Sequence, residues 1–428
     1  MRRVLIVSPH FPPDTSAGTH RIRLLAPHLP AYGWEATVVT VDPRDLESRL
    51  DPGLAARVPA SLRVVRCRAL PARWTRLVGV GDLGLRAFSG LRRACRKLLA
   101  AERFDALLIT IYPTYPALLG PRLKRRFAVP FVLDYQDPWV GAWGESVGGG
   151  ANGKVDAKSR LSRALAARLE PRAARAADAL TAVSAATYEA VLARNPRLRP
   201  AVCAAIPLGG EPADFDRLRA EPRPNGFFAP DDGRFHLCYV GTLLPLGMET
   251  LAAVFRAVAL LRDRRPELAA RLELRFFGTS NQTAATAAPR ALPLAREMGV
   301  ADQTSEVAPR LDYLDALRVL TQASAILLLG SSERHYTPSK AYPALLAGRP
   351  LLAAYHEASS VVAVLRRAAP SAEVVTYGDA PDREAVAEKI AAALERLMSA
   401  PGATPKVDRD AVAESSAAHL AGELAAVL

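Results

Sequence analysis

Short runs of valine, isoleucine and leucine alternate along the chain with longer alanine-, leucine- and arginine-rich stretches of helical period. This is the pattern of parallel sheets whose strands are joined by crossover helices. In the first half the apolar runs predict strands over residues 4–8, 36–41, 62–67, 106–110, 131–135, 179–183 and 202–206. A second set follows at 235–240, 272–277, 305–308, 325–329, 351–354 and 373–377. Residues 207–234, between the two sets, are polar and proline-rich, and the apolar run that follows opens onto Gly241 and Thr242. The pattern divides the chain into an α/β domain over 1–206, a linker over 207–234, a second α/β domain over 235–406 and an alanine-rich helix over 407–428.

Composition agrees with this division. With 428 residues, 50% of them hydrophobic, the chain can bury two cores. Its cysteines, Cys67, Cys95, Cys203 and Cys238, are scattered without a C-x-x-C pair, so neither a disulfide framework nor a zinc site is indicated and a reducing cytoplasm is expected. The apolar run at Val4–Val7 is stopped by Pro9, Pro12 and Pro13, so it reads as a first strand rather than a signal peptide. No apolar stretch approaches the ~18 to 20 residues that cross a bilayer.

Charge adds a partner class. A formal net charge of +13 favours polyanions. Between Arg63 and Lys97 the chain carries Arg66, Arg68, Arg73, Arg76, Arg86, Arg92, Arg93 and Arg96, opposed in that stretch only by Asp82. Leu70, Trp74, Leu77, Val78, Leu85 and Phe88 are interleaved with these cations. The segment fits either a peripheral contact with an anionic membrane or a solvated arginine-rich helix face. Nucleic acid is disfavoured, because no aromatic stacking pattern accompanies the charge.

Two motif matches fail on context. Gly79, Gly81 and Gly84 satisfy G-x-G-x-x-G, with Glu102 near the distance of a ribose-binding acid, but no buried strand precedes them. Gly148, Gly153 and Lys154 imitate a phosphate-binding loop, yet Val155 stands where a hydroxyl should hold magnesium.

Three other segments lie where chemistry is expected, beyond the carboxyl ends of strands. The first runs from Ser8 through His10, Asp14 and Gly18 to Arg21, and the lack of a side chain at Gly18 admits a substrate to the backbone. The second is Asp134-Tyr135-Gln136-Asp137-Pro138-Trp139, two carboxylates and an indole. Asp137 is suited either to an acceptor hydroxyl or to capping a turn, and Trp139 to stacking on a sugar ring. In the third, Thr337 is placed as a helix cap, Pro338 at the first helical position, and Ser339 and Lys340 in the first turn, where exposed N–H groups and an ammonium suit a diphosphate.

Thr337-Pro338-Ser339-Lys340-Ala341-Tyr342, followed by Leu346-Ala347-Gly348-Arg349-Pro350, resembles the P-S-K-x-Y-E-x-x-A-x-G-x-P signature of the retaining glycosyltransferases of family 4. Phe11-Pro12-Pro13 with Gly18, the Asp134–Trp139 segment, Pro207–Gly210 and Tyr239–Thr242 are similar to further segments of that family. The resemblance implies the GT-B fold, two Rossmann-like α/β domains facing each other across a cleft, with the final helix packing back on the first domain. It also implies transfer of a sugar from a nucleotide-sugar to an acceptor hydroxyl, with retention, without a metal and without a cofactor.

On that pattern Gly18, Gly241, Thr242, Gly278, Thr337, Ser339 and Lys340 are expected to hold the donor. Asp137, Glu333, His335 and Lys340 are the catalytic candidates, and His10, Asp134 and Trp139 lie on the acceptor side. The acceptor is unnamed, and a lipid-linked one in cell-surface polysaccharide or glycolipid synthesis fits the basic segment. The chain departs from the family where Pro343 replaces its second acid and His335 its first, with Glu333 two residues away. These departures keep open a protein that binds a nucleotide-sugar without transferring it. A sugar-nucleotide epimerase on the same fold is a further alternative.

Overall fold

The computed structural model describes residues 1–140, 157–280, 286–332, 339–400 and 405–428. Contacts divide the chain into two compact units, Met1–Leu208 with Ala417–Leu428, and Gly209–Ser416.

The first unit is built on a seven-stranded sheet of order β3-β2-β1-β4-β5-β6-β7. Its strands are β1 (Arg2–Val7), β2 (Trp34–Val41), β3 (Arg63–Cys67), β4 (Ala106–Ile111), β5 (Phe131–Tyr135), β6 (Ala179–Ala182) and β7 (Val202–Ala205). All neighbours pair in parallel. The continuous apolar runs arise because helices cover both faces. Along β1, Val4 and Ile6 enter a core with the helix Ala417–Val427, whereas Leu5 and Val7 enter another with the helix Leu83–Ala101. This is the two-residue period of a strand buried on both sides. The Ala417–Val427 helix is fixed by Leu420 and Leu424 in that core, and by bonds from Tyr32 Oη to Ala418 O (2.9 Å) and from Trp34 Nε1 to Ala425 O (3.2 Å).

The second unit carries a six-stranded parallel sheet of order β10-β9-β8-β11-β12-β13. These strands are β8 (Phe235–Val240), β9 (Leu272–Phe277), β10 (Thr304–Val307), β11 (Ala325–Leu329), β12 (Leu351–His356) and β13 (Glu373–Tyr377). In β11, Leu327 and Leu329 face one core, Ile326 and Leu328 the other. Each sheet reverses its strand order beside its first strand, between β1 and β4 and between β8 and β11. Such a switch point opens a crevice at the carboxyl ends of the strands, where ligands bind in α/β sheets.

Two sequence expectations need correction. Residues 207–234 are not a plain linker: Pro212–Ala220 is a helix capped by Glu211, and its Phe215 and Leu218 are buried with Leu317 and Leu320 in the second core. Asp214 is buried with it and accepts a bond from Tyr313 Oη at 2.9 Å. The helix expected from Thr337 begins later, at Ala341, with Lys340 as the flanking residue in helical conformation. Pro343 is then the third helical residue, where no intrahelical N–H bond is lost.

Candidate functional site

In the second unit the carboxyl ends of β8, β9 and β10 lead into Gly241, Gly278 and Arg310, and Lys340 follows β11. Lys340 reaches back across the end of β8. Its Nζ donates to Tyr239 Oη and to Thr242 O (2.8 Å), and lies 4.6 Å from the centre of the Tyr239 ring. Tyr239 Oη also donates to Thr242 O (2.9 Å), so one carbonyl anchors both groups. The seat exists because Gly241 has no side chain: a Cβ there would meet Lys340 Cε at 2.3 Å. Gly241 also has φ +135°, which favours glycine.

Although the residue as a whole is half-buried, its ammonium is enclosed. Burial first, and then the charge of Arg310, push the Lys340 pKa down from 10.5 to about 7. Gly278, at φ +67°, lies beside Arg310: a Cβ on this glycine would stand 3.7 Å from Arg310 Cα. A lysine and an arginine gathered at the carboxyl ends of a parallel sheet form a cationic site suited to a phosphate group. Ser339 is an exposed turn residue beside Lys340. Glu333, His335 and Thr337 lie outside the described residues.

In the first unit the loops after β1 and β4 meet at the switch point. The His10 ring lies 5.3 Å from that of Tyr112. Gly18 admits the same tyrosine, since a Cβ there would stand 2.4 Å from Tyr112 Cδ1. His10 Nδ1 is hydrogen-bonded to Asp14 Oδ2, and the other oxygen of this buried carboxylate accepts from Ser16 N (2.9 Å), Ser16 Oγ (2.8 Å) and Ser48 Oγ (2.5 Å). Burial opposes the Asp14 charge, but His10 and these donors overcome it and lower the pKa from 3.8 to about 2. An ionised Asp14 makes His10 carry its proton on Nδ1 and leaves Nε2 as the acceptor.

The Asp134–Trp139 segment separates into different roles. Asp134 is buried, and Arg21 Nε and Nη2 donate to its two oxygens at 2.9 and 2.7 Å, with Thr181 Oγ1 adding a bond of 2.7 Å. That carboxylate is fully engaged inside the domain, which corrects its expected place on the acceptor side. Arg21 also donates to Ile206 O (2.6 Å) and Pro207 O (2.8 Å), pinning the chain where it leaves the sheet. Asp137 is exposed at the end of β5. Trp139 is half-buried against the first core and packs edge-to-face on Tyr115 at 6.1 Å.

The rejected glycine motif has a structural role. Asp82 Oδ1 accepts from Leu85 N (2.8 Å) and caps the helix Leu83–Ala101. A Cβ on Gly84 would meet Pro116 Cδ at 2.7 Å. Glu102 is bonded to Arg3 and Arg63 rather than presented to a ribose. The glycines at 148 and 153 lie outside the described residues.

Sequence reasoning placed Asp14 and Arg21 in the first segment without giving them a role, and missed Tyr112 and Arg310. Asp14 had a local signal, four residues after His10 in a loop. Arg21 and Arg310 had none, since nothing in an isolated arginine tells whether it is buried or lies at a surface.

Comparisons with known proteins agree with this fold. Residues 17–209 match the model of the glycosyl transferase 4-like domain. No curated protein matches the chain. Among solved structures, a UDP-forming α,α-trehalose-phosphate synthase from Burkholderia xenovorans, in complex with glucose-6-phosphate, has a TM-score of 0.65 at 11% identity, covering 100% of both chains. Anabaena HepE in complex with UDP-glucose has a TM-score of 0.53 at 14% identity, covering 100% of this chain and 95% of that one. A protein described as a UDP-N-acetylglucosamine 2-epimerase from Listeria monocytogenes has a TM-score of 0.50 at 13% identity, with 99% and 95% covered. At these identities the likeness is one of fold.

Proposed function

With a glycosyl transferase 4-like domain over residues 17–209 and the GT-B fold over the whole chain, we propose that this protein transfers a sugar from a nucleotide-sugar to an acceptor hydroxyl, with Lys340 gripping the donor's diphosphate. The observation that carries the reading is the Lys340 seat, an enclosed ammonium held at the end of β8 with Arg310 as a second cation nearby. As the glycosidic bond breaks, negative charge grows on the leaving diphosphate, and a cation already fixed in place stabilises it without reorganising. Thr242 and Leu243, which follow Gly241 at the end of β8, carry no charge, so Arg310 is the second cation of the site. A uridine nucleotide is the first donor to test, because HepE binds UDP-glucose.

His10, oriented by Asp14, and the exposed Asp137 are the acceptor-side groups. Transfer proceeds with retention of anomeric configuration and without a metal, as expected from the family pattern. Pro343 supports a second reading, binding without transfer, because it supplies no carboxylate where the family holds a ribose hydroxyl.

A thermal-shift screen of UDP and UDP-sugars against wild type and Lys340→Ala tests the donor site, since a ligand held by the folded state raises its stability. A shift in wild type that Lys340→Ala removes supports the site. Equal shifts in both proteins refute it. Product analysis by mass spectrometry then separates transfer from binding, and NMR of the anomeric proton in the product reads retention or inversion.

A further inference from the structure

Eight of the ten basic residues of the Arg63–Lys97 stretch separate into two sets once folded. One set is neutralised from outside the stretch: Arg63 pairs with Glu102, Arg68 with Asp45 and Arg76 with Glu47, while Arg86 is buried and donates to Leu70 O at 2.9 Å. The other set is Arg92, Arg93, Arg96 and Lys97, all exposed on the helix Leu83–Ala101 and making no ion pair among the described residues. Together with Arg126, from the helix Leu119–Phe127, they line a surface groove of about 520 Å³ with no acidic side chain in its wall. Like charges gathered this closely repel one another until an anion lies among them.

An apolar ridge precedes this groove in the chain. Trp74 is 62% exposed, Leu77 78% and Val78 77%, all on the short helical turns Ala72–Thr75 and Arg76–Val78. Leu85 extends the ridge onto the helix, where steps of seven and eleven residues put it on the same stripe as Arg92 and Arg96. Scattered exposed hydrophobic residues are ordinary, but a cluster beside an unpaired basic stripe marks an interaction surface. Nucleic acid would employ the cations and leave the ridge in water. Only an anionic lipid surface offers phosphates to the stripe and an apolar boundary to Trp74, Leu77 and Val78.

We propose that this face of the first domain docks on anionic bilayers, with the Trp74–Val78 turn in the headgroup boundary and Arg92, Arg93, Arg96 and Lys97 over the lipid phosphates. Among the described residues no helix is long and apolar enough to cross a membrane, so this is attachment at the surface. It does not depend on the reading of Lys340.

Flotation of the full chain with phosphatidylcholine vesicles, with and without phosphatidylglycerol, tests the proposal. Binding is expected only with phosphatidylglycerol and is expected to weaken as salt rises. R92E/R93E/R96E/K97E should lower the partition coefficient at least about a hundredfold. The neutral set R92Q/R93Q/R96Q/K97Q should lower it less and keeps the test open if the reversed set does not fold. L77S/V78S should leave initial attraction at low salt but remove the residual binding at high salt. The blue shift of tryptophan emission on binding should be absent in W74F. No flotation of wild type at low salt overturns the proposal, as does unchanged flotation of the neutral set. Preferential capture by mixed-sequence RNA in competition with the vesicles also overturns it.

Discussion

A methyl group on Gly241 would occupy the space of the Lys340 side chain, because its Cβ would stand 2.3 Å from Lys340 Cε. Two residues almost one hundred positions apart are thereby one unit: the lysine has its seat only while residue 241 is glycine. Gly241→Ala should therefore abolish the thermal shift with UDP-glucose about as completely as Lys340→Ala. It should also lower stability by about 1 to 3 kcal/mol, from the strain of an alanine at φ +135°. Thermal melts of both variants, with and without ligand, check this. A Gly241→Ala protein that binds like wild type would show that the seat is not needed.

Donor binding should depend on pH through Lys340. Its pKa in the folded protein is about 7, below the ordinary 10.5. The folded state thus holds this proton less tightly than the unfolded one, and the resulting penalty on stability fades as pH rises from about 7 to about 10.5. A bound diphosphate reverses the preference and restores the proton. UDP-glucose affinity should then fall by up to about tenfold per pH unit above about 7, with uptake of up to about one proton at pH 8. Calorimetry in buffers of different ionisation enthalpy measures that uptake, which should vanish in Lys340→Met.

Arg21 and Asp134 should behave as one structural pair. Both are buried, and removing either leaves the other's charge enclosed without its counter-ion. Arg21→Ala or Asp134→Ala should each cost about 3 to 5 kcal/mol, and the double variant clearly less than the sum. Urea unfolding of the three proteins gives the coupling. Additive effects would mean that Asp134 answers to something other than Arg21.

Asp14 should stabilise the first domain in its ionised form. Because the folded carboxyl titrates at about 2 instead of 3.8, its stabilisation is fully present above about pH 4 and is lost as pH falls toward 2. The shift corresponds to about 2 kcal/mol at neutral pH. Asp14→Asn should show that deficit in urea unfolding at pH 7 and a smaller one at pH 3. It should also slow sugar transfer by releasing His10 from its fixed tautomer, an effect that His10→Ala should mask in the double variant.

The architecture was largely legible in the sequence, because strands buried on both faces are written as unbroken apolar runs such as Phe131–Leu133 and Ala325–Leu329. The helix Pro212–Ala220 was not, since Phe215 and Leu218 are too sparse among charged neighbours to signal a buried face. Lys340 stood out by its motif, but the burial and the nearby charge of Arg310 that depress its pKa, like its bond to Tyr239, come only from the fold. Asp134 was misread for a related reason: its partner Arg21 lies 113 residues away, and an aspartate at a strand end looks alike whether it meets a ligand or an arginine.

The helix Ala417–Val427 belongs to the first unit, although the whole of Gly209–Ser416 separates it from the rest of that unit. The second domain is thus an insertion within the first. On the ribosome, Val4, Ile6, Leu29 and Trp34 emerge early, yet the face they form waits for Leu420 and Leu424 before it is covered. The half of the molecule that is synthesised first is the half that is finished last, and a truncation of residues 417–428 would injure the sheet at the opposite end of the sequence.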